Sequence, residues 1–122
     1  MGPSLNRILL YAKDVQKTCE FYERHFGFTC ELDDDGRIAE LVAPHGGIKI
    51  MVHKAGKGVK SGQACIKLVF DVQDVESFKE QCTKRGLEFG AIHQASGYSF
   101  ANAKDPDNNS ISISSRAFAA RQ

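Results

Sequence analysis

Apolar positions along this chain alternate between two periods, and the alternation then repeats. Ile8-Leu9-Leu10-Tyr11-Ala12 is an apolar run of strand length, and residues 6–12 are read as a strand. The next segment switches to helical spacing, with Val15, Thr18, Cys19, Tyr22 and Phe26 forming a stripe that Phe21 broadens. Asp14 stands where a side chain can accept from the free amides of a first helical turn. Gly27 stands where a helix ends on a left-handed residue. Residues 28–32, 37–43 and 48–53 then predict three strands, separated by the acidic turn Asp33-Asp34-Asp35-Gly36 and by Pro44-His45-Gly46-Gly47. The predicted order is β-α-β-β-β.

About sixty residues later the order returns. Residues 65–72 read as a strand, Asp74 caps a helix with the stripe Val75, Phe78 and Cys82, and Gly86 stops it. Residues 87–93, 98–103 and Ser110–Ser114 predict three more strands, the last preceded by the polar turn Asp105-Pro106-Asp107-Asn108-Asn109. Asn108-x-Ser110 matches a glycosylation sequon and is read here as part of that turn. Between the halves, residues 54–62 carry three glycines, three lysines and a single large apolar residue, Val59, and read as a mobile linker. The expected organisation is one domain over residues 1–122, made of modules 5–54 and 63–116, with an amphiphilic tail at 116–122 that covers a helix or a dimer contact.

Neither helix can face water on its apolar side, so both must pack on the same side of the strands. The fold class expected is α+β: paired βαβββ modules building an open, curved mixed sheet with the helices on its outer face. A concave inner face is left for function. Strand alternation places Ile8, Leu10 and Ala12 against the helices and Arg7, Leu9 and Tyr11 in the cleft. The same rule sends Ile66, Leu68, Phe70 and Val72 to the core and Lys67, Val69 and Asp71 to the cleft. In the last strand, Ile111 and Ile113 are core while Ser110, Ser112 and Ser114 face the cleft.

Composition narrows the function classes. The 122 residues suffice for one core, and 42% are hydrophobic, as in an ordinary globular chain. Sixteen basic residues against fifteen acidic ones leave a formal charge of +1, so no global field draws nucleic acid. No run approaches a membrane span, and residues 1–7 hold no apolar stretch of signal-peptide length. Pro3 directly after Met1-Gly2 argues against myristoylation. A cytoplasmic protein is expected. The four cysteines, Cys19, Cys30, Cys65 and Cys82, include no CxxC pair and are read as buried thiols in helices and strands.

Four stretches carry a family resemblance: Lys13-Asp14-Val15, the helix end from Phe21-Tyr22 to Gly27-Phe28, Phe70-Asp71-Val72-Gln73-Asp74-Val75, and Asp105-Pro106-Asp107-Asn108-Asn109. Together they resemble the vicinal oxygen chelate superfamily of glyoxalases, extradiol dioxygenases, and fosfomycin and bleomycin resistance proteins, over residues 5 to about 116. In metal-bearing members, the resemblance implies histidines at the starts of strands one and five and a glutamate in the last strand, with a fourth ligand from strand four. The matching positions here are Arg7, Lys67 and Ser112, with Ile50 or a neighbour in the fourth strand. Arginine does not deprotonate, a lysine ammonium repels a cation, and a lone serine is a weak ligand. No metal and no cofactor are therefore expected.

The ligand site expected is Arg7, Leu9, Tyr11, Glu40, Ile50, Lys67, Val69, Phe100 and Ser112. Arg7 and Lys67 supply cations for a carboxylate, phosphate or sulfonate, or else pair with cleft carboxylates such as Glu40. Leu9, Tyr11, Ile50 and Val69 supply an apolar wall, with His93, Tyr98 and Phe100 at the rim. His25 is expected at the surface, and neither it, His45 nor His53 converges with a second catalytic group. The acidic turn is not an EF-hand, because position twelve counted from Glu31 is Val42. Residues 56–62 have P-loop composition in the wrong order, with no following helix. The leading expectation is metal-free sequestration of a small organic molecule such as an antibiotic or toxin, by a homodimer. The alternatives are a glyoxalase-like lyase, isomerase or dioxygenase with displaced ligands, and a non-catalytic interaction protein with a vestigial cleft.

Overall fold

The computed structural model describes residues 5–119. The Met1-Gly2 acylation reading and the last three tail residues lie outside this range. The chain divides into two compact units, Met1–Ser61 and Gly62–Gln122, each with the order β-α-β-β-β. The duplication extends from sequence to topology.

In the first unit, β1 (Arg7–Ala12) leads into α1 (Val15–Phe26), followed by β2 (Thr29–Leu32), β3 (Ile38–Val42) and β4 (Lys49–Lys54). Asp14 caps α1 by accepting from the Lys17 amide at 3.1 Å. Gly27 ends the helix at φ 73°, and its amide donates to the Glu23 and Tyr22 carbonyls. The sheet order is β1-β4-β3-β2, with β1 parallel to β4 and the other pairs antiparallel. α1 packs on β2, β3 and β4. Its stripe of Val15, Cys19 and Tyr22 is buried with Ala39, Leu41, Ile50 and Val52. Full burial of each large apolar side chain contributes roughly 1.5–3 kcal/mol.

The second unit contains β5 (Lys67–Asp71), α2 (Val75–Lys84), β6 (His93–Gln94), β7 (Ser99–Lys104) and β8 (Ser110–Ser114), then a 3-10 turn at Arg116–Phe118. Asp74 caps α2 through the Ser77 amide at 3.0 Å. The order β5-β8-β7-β6 copies the first sheet, again with the first pair parallel. Leu68, Val75, Cys82, Leu87, Phe89, Ala101, Ile111 and Ile113 form its core. The fold is thus α+β, with two helices and two open four-stranded mixed sheets.

Several expectations are corrected. The strand expected at 87–93 survives only as His93–Gln94; before it, the chain meets β7 through a Gly90 amide donating to the Asn102 carbonyl at 2.8 Å. Leu87 and Phe89 are buried there, so the segment packs without making a regular ladder. β5 begins at Lys67 rather than at residue 65, because Lys67 pairs with Ser110, the first residue of its five-residue partner. Cys65 and Ile66 overhang that partner and are exposed, so Cys65 is not a buried thiol and Ile66 is not core. Cys30 is half-buried, while Cys19 and Cys82 are buried. His25 is buried rather than at the surface, with its ring 5.0 Å from Phe21. It occupies the same helix face as Thr18 and Tyr22, which turns that position inward.

Candidate functional site

Strand alternation and register decide which side chains share the sheet face away from the buried core. On β1 these are Arg7, Leu9 and Tyr11, which are exposed, whereas Ala12 is fully buried. The parallel register sets Arg7 opposite Lys49, Leu9 opposite Met51 and Tyr11 opposite His53. Glu40 lies opposite Met51 on β3 and joins this row. Ile50 does not. It pairs with Ile8 and Leu41 and is 3% exposed, so it belongs to the core face; the β4 residues of the open face are Lys49, Met51 and His53.

One carboxylate oxygen organises the polar end of this face. Glu40 Oε1 lies 3.3 Å from Arg7 Nη2 and 3.4 Å from Lys49 Nζ. Two cations therefore share one carboxylate oxygen close to Leu9 and Tyr11, which are 40% and 53% exposed, and Glu31, opposite Glu40 in register, adds a second carboxylate to this face. Tyr11 meets the His53 ring edge to face at 5.7 Å, and His53 Nδ1 lies 2.8 Å from the Lys54 carbonyl. The sequence expectation reached this strand only as Ile50 or a neighbour, and Lys49 was not among the expected site residues. The signal was its parity with Arg7, which only the parallel pairing of β1 and β4 reveals.

The second unit builds the equivalent face from Lys67, Val69 and Asp71 on β5, Ser110, Ser112 and Ser114 on β8, and Phe100 and Asn102 on β7. Lys67 Nζ donates to Asn102 Oδ1 at 2.9 Å, an amide oxygen rather than a carboxylate. Ser112 sits between Val69 and Asn102 in the ladder and is 3% exposed; its hydroxyl approaches the Ile113 carbonyl at 3.4 Å. Phe100 lies 5.2 Å from His93 and 6.3 Å from Tyr98. A cavity of about 760 Å³ opens where Val69, Asp71, Tyr98, Ser114 and Arg116 come together.

The positions matched to metal ligands in the resemblance are thus a guanidinium paired with Glu40, an ammonium holding an amide oxygen, and a buried hydroxyl. The fourth-strand neighbour facing the same way as Arg7 is Lys49, another cation. This donor set does not suit a divalent ion. Among the described residues, no three His, Cys, Asp or Glu side chains group as a metal site. The acidic turns have structural uses. Asp33 and Asp35 accept from the Arg37 amide, and Asp35 is held below the usual carboxylate range mainly by that bond. Asp105 accepts from the Asp107 and Asn109 amides and from the Asn109 side chain.

No helix among the described residues is long and apolar enough to cross a membrane. The sequence profile of the Glyoxalase/Bleomycin resistance protein/Dioxygenase superfamily matches residues 4–113. No curated protein matches the chain significantly. Among solved structures, the chain is similar to TnmS3, an antibiotic binding protein from Streptomyces sp. CB03234, at TM-score 0.76 and 19% identity, covering 93% of this chain and 96% of that one. It is similar to a mutant of the fosfomycin resistance protein FosX from Listeria monocytogenes, complexed with Mn(II) and dihydroxypropylphosphonic acid, at TM-score 0.72 and 17% identity, covering 94% and 91%. A lactoylglutathione lyase from Agrobacterium tumefaciens aligns at TM-score 0.72 and 17% identity, covering 93% and 94%. At these identities the likeness is one of fold, and the profile supplies the family. With its profile match spanning nearly the whole chain and its two βαβββ units, this protein belongs to the Glyoxalase/Bleomycin resistance protein/Dioxygenase superfamily.

Proposed function

We propose that this protein binds and sequesters a small, anionic or neutral amphipathic organic molecule without a metal ion, as a cytoplasmic homodimer. The observation that carries this reading is the arrangement of Arg7 and Lys49 on one oxygen of Glu40. The half-exposed Arg7 and Lys49 side chains offer guanidinium and ammonium donors to a carboxylate, phosphate or phosphonate, and Leu9, Tyr11 and Met51 offer apolar contact alongside. The ligand-binding residues proposed are Arg7, Leu9, Tyr11 and Glu40 with Lys49 in the first unit, and Lys67, Val69, Phe100 and Ser112 in the second. The antibiotic-binding and fosfomycin-resistance proteins of similar fold support small-molecule binding as the purpose of such a face. Open sheet edges support self-association, since each sheet ends in strands with unpaired backbone groups.

Native mass spectrometry of freshly purified protein tests the proposal in one experiment. The expected result is a dimer that carries no stoichiometric divalent ion and gains mass with a panel of aromatic carboxylates and phosphonates. A tightly held divalent ion, removed by chelator with loss of ligand binding, would overturn the metal-free reading. A protein that neither retains nor binds any member of the panel would overturn the binding function itself.

A further inference from the structure

The cavity of the second unit has its own chemistry. Its volume, about 760 Å³, lies within the range of small-molecule sites. Its walls come from the end of β5 (Val69, Asp71), the end of β8 (Ser114), the turn before β7 (Ser96, Tyr98) and the 3-10 turn (Arg116). The Arg116 guanidinium lies over the Tyr98 ring, 5.5 Å from its centre, with Nη1 donating to the Tyr98 hydroxyl at 3.5 Å. The Arg116 amide donates to Ser114 Oγ at 3.2 Å, tying the turn to the strand end. The guanidinium is thereby positioned by a ring and a backbone bond, while most of its five N–H groups remain available to a ligand.

Asp71, the register partner of Ser114, lines the same cavity. Among the described residues, no carboxylate is within ion-pair distance of Arg116 and no cation is within ion-pair distance of Asp71. One cavity thus carries two opposite charges that form no ion pair with each other, with the half-exposed Val69 side chain as its apolar surface. A pure anion would gain Arg116 but meet repulsion from Asp71, and a pure cation the reverse. A molecule carrying both charges satisfies both walls.

We propose that this cavity binds a small zwitterion, its carboxylate on Arg116 and its ammonium on Asp71. The inference rests on the reading of the chain as a small-molecule binder and narrows the ligand class for the second unit.

Calorimetric titration of the full chain tests it, with glycine, 4-aminobutyrate, 6-aminohexanoate and L-phenylalanine as probes of different charge separation and bulk. Phenylacetate and phenethylamine serve as single-charge controls, and all titrations use Arg7→Gln protein so that the anion-binding face of the first unit does not contribute. At least one zwitterion is expected to bind, and about tenfold more weakly in both Arg116→Gln and Asp71→Asn. The single-charge controls should bind at least tenfold more weakly than the best zwitterion, and Glu88→Gln, an exposed change outside the cavity, should bind like the parent chain. Circular dichroism of each variant confirms that the fold is retained. Absence of binding by all four zwitterions would overturn the inference, as would binding that ignores both substitutions or single-charge controls that bind equally well. Each of these three results leaves the broader reading to its own test, because metal content and binding of aromatic anions to the unsubstituted chain are measured separately.

Discussion

Glu40 presents one carboxylate oxygen to two cations, each of which keeps about half of its side chain exposed for a ligand. Arg7 and Lys49 are about half exposed, so their pairing contributes at most ~1 kcal/mol to stability. Glu40→Gln should therefore move the melting temperature little, yet tighten binding of an aromatic carboxylate several-fold by removing the competing anion. Arg7→Gln should weaken the same ligand about tenfold, as read by calorimetry. A separate residue-scale effect concerns Cys19. Burial, then the hydrogen bond and charge of Cys30, push its thiol from the ordinary 9.0 up to about 12. Because the folded value lies above the unfolded one, this contribution to stability is complete below pH 9 and is lost as pH rises towards 12. Denaturant titrations should show that alkaline decline, and Cys19→Ala should flatten it while lowering stability at neutral pH. The pairing of Arg7 with Glu40 was one of two roles the sequence suggested for these residues. Lys49 was missed because its face depends on a register that no local pattern states.

Two devices at the scale of elements recur in both halves: an aspartate N-cap and a parallel first strand pair. Asp14→Ala and Asp74→Ala should each cost about 1 kcal/mol, since each removes the acceptor for a first-turn amide. Thermal melts of the single and double variants should show nearly additive losses, the caps sitting in separate units. Gly62 is a sharper case. It has φ 77°, and a Cβ there would lie 2.8 Å from the Asn108 side chain, so Gly62→Ala meets both backbone strain and a clash. Gly27, at φ 73° with open space around it, carries only the backbone cost. Gly62→Ala should accordingly lower the melting temperature more than Gly27→Ala does. The helices and caps were legible because their determinants are local. The reduced β6 was not, because an apolar strand-like run and a buried irregular segment share one pattern.

At the scale of the whole molecule, the duplication has a measurable consequence. Lys57 and Lys60 are exposed in the segment preceding the unit boundary at residue 61. Brief trypsin treatment should cleave there first, giving two fragments of similar mass before either unit is digested. If the first cuts fall inside α1 or α2 instead, the two-unit description fails. Family membership is a property of the whole chain as well. It rests on capping, turn and helix-packing residues that any member needs, whatever it binds. The site positions differ within that shared frame, so the ligand must be argued from Arg7, Lys49, Glu40, Asp71 and Arg116.

The sequence by itself determined the element order, the duplication, the helix boundaries and the family, because caps, turn residues and apolar periods act over a few neighbouring positions. It also determined the chemical identity of the side chains at the positions where the resemblance places metal ligands. Only the tertiary structure decided that Ile50 is core and Lys49 is not, that His25 is buried, and that Asp71 and Arg116 share a cavity. Those outcomes depend on strand register and on which distant segments meet. A one-residue shift in pairing exchanges the two faces of a strand without altering the pattern that predicts the strand.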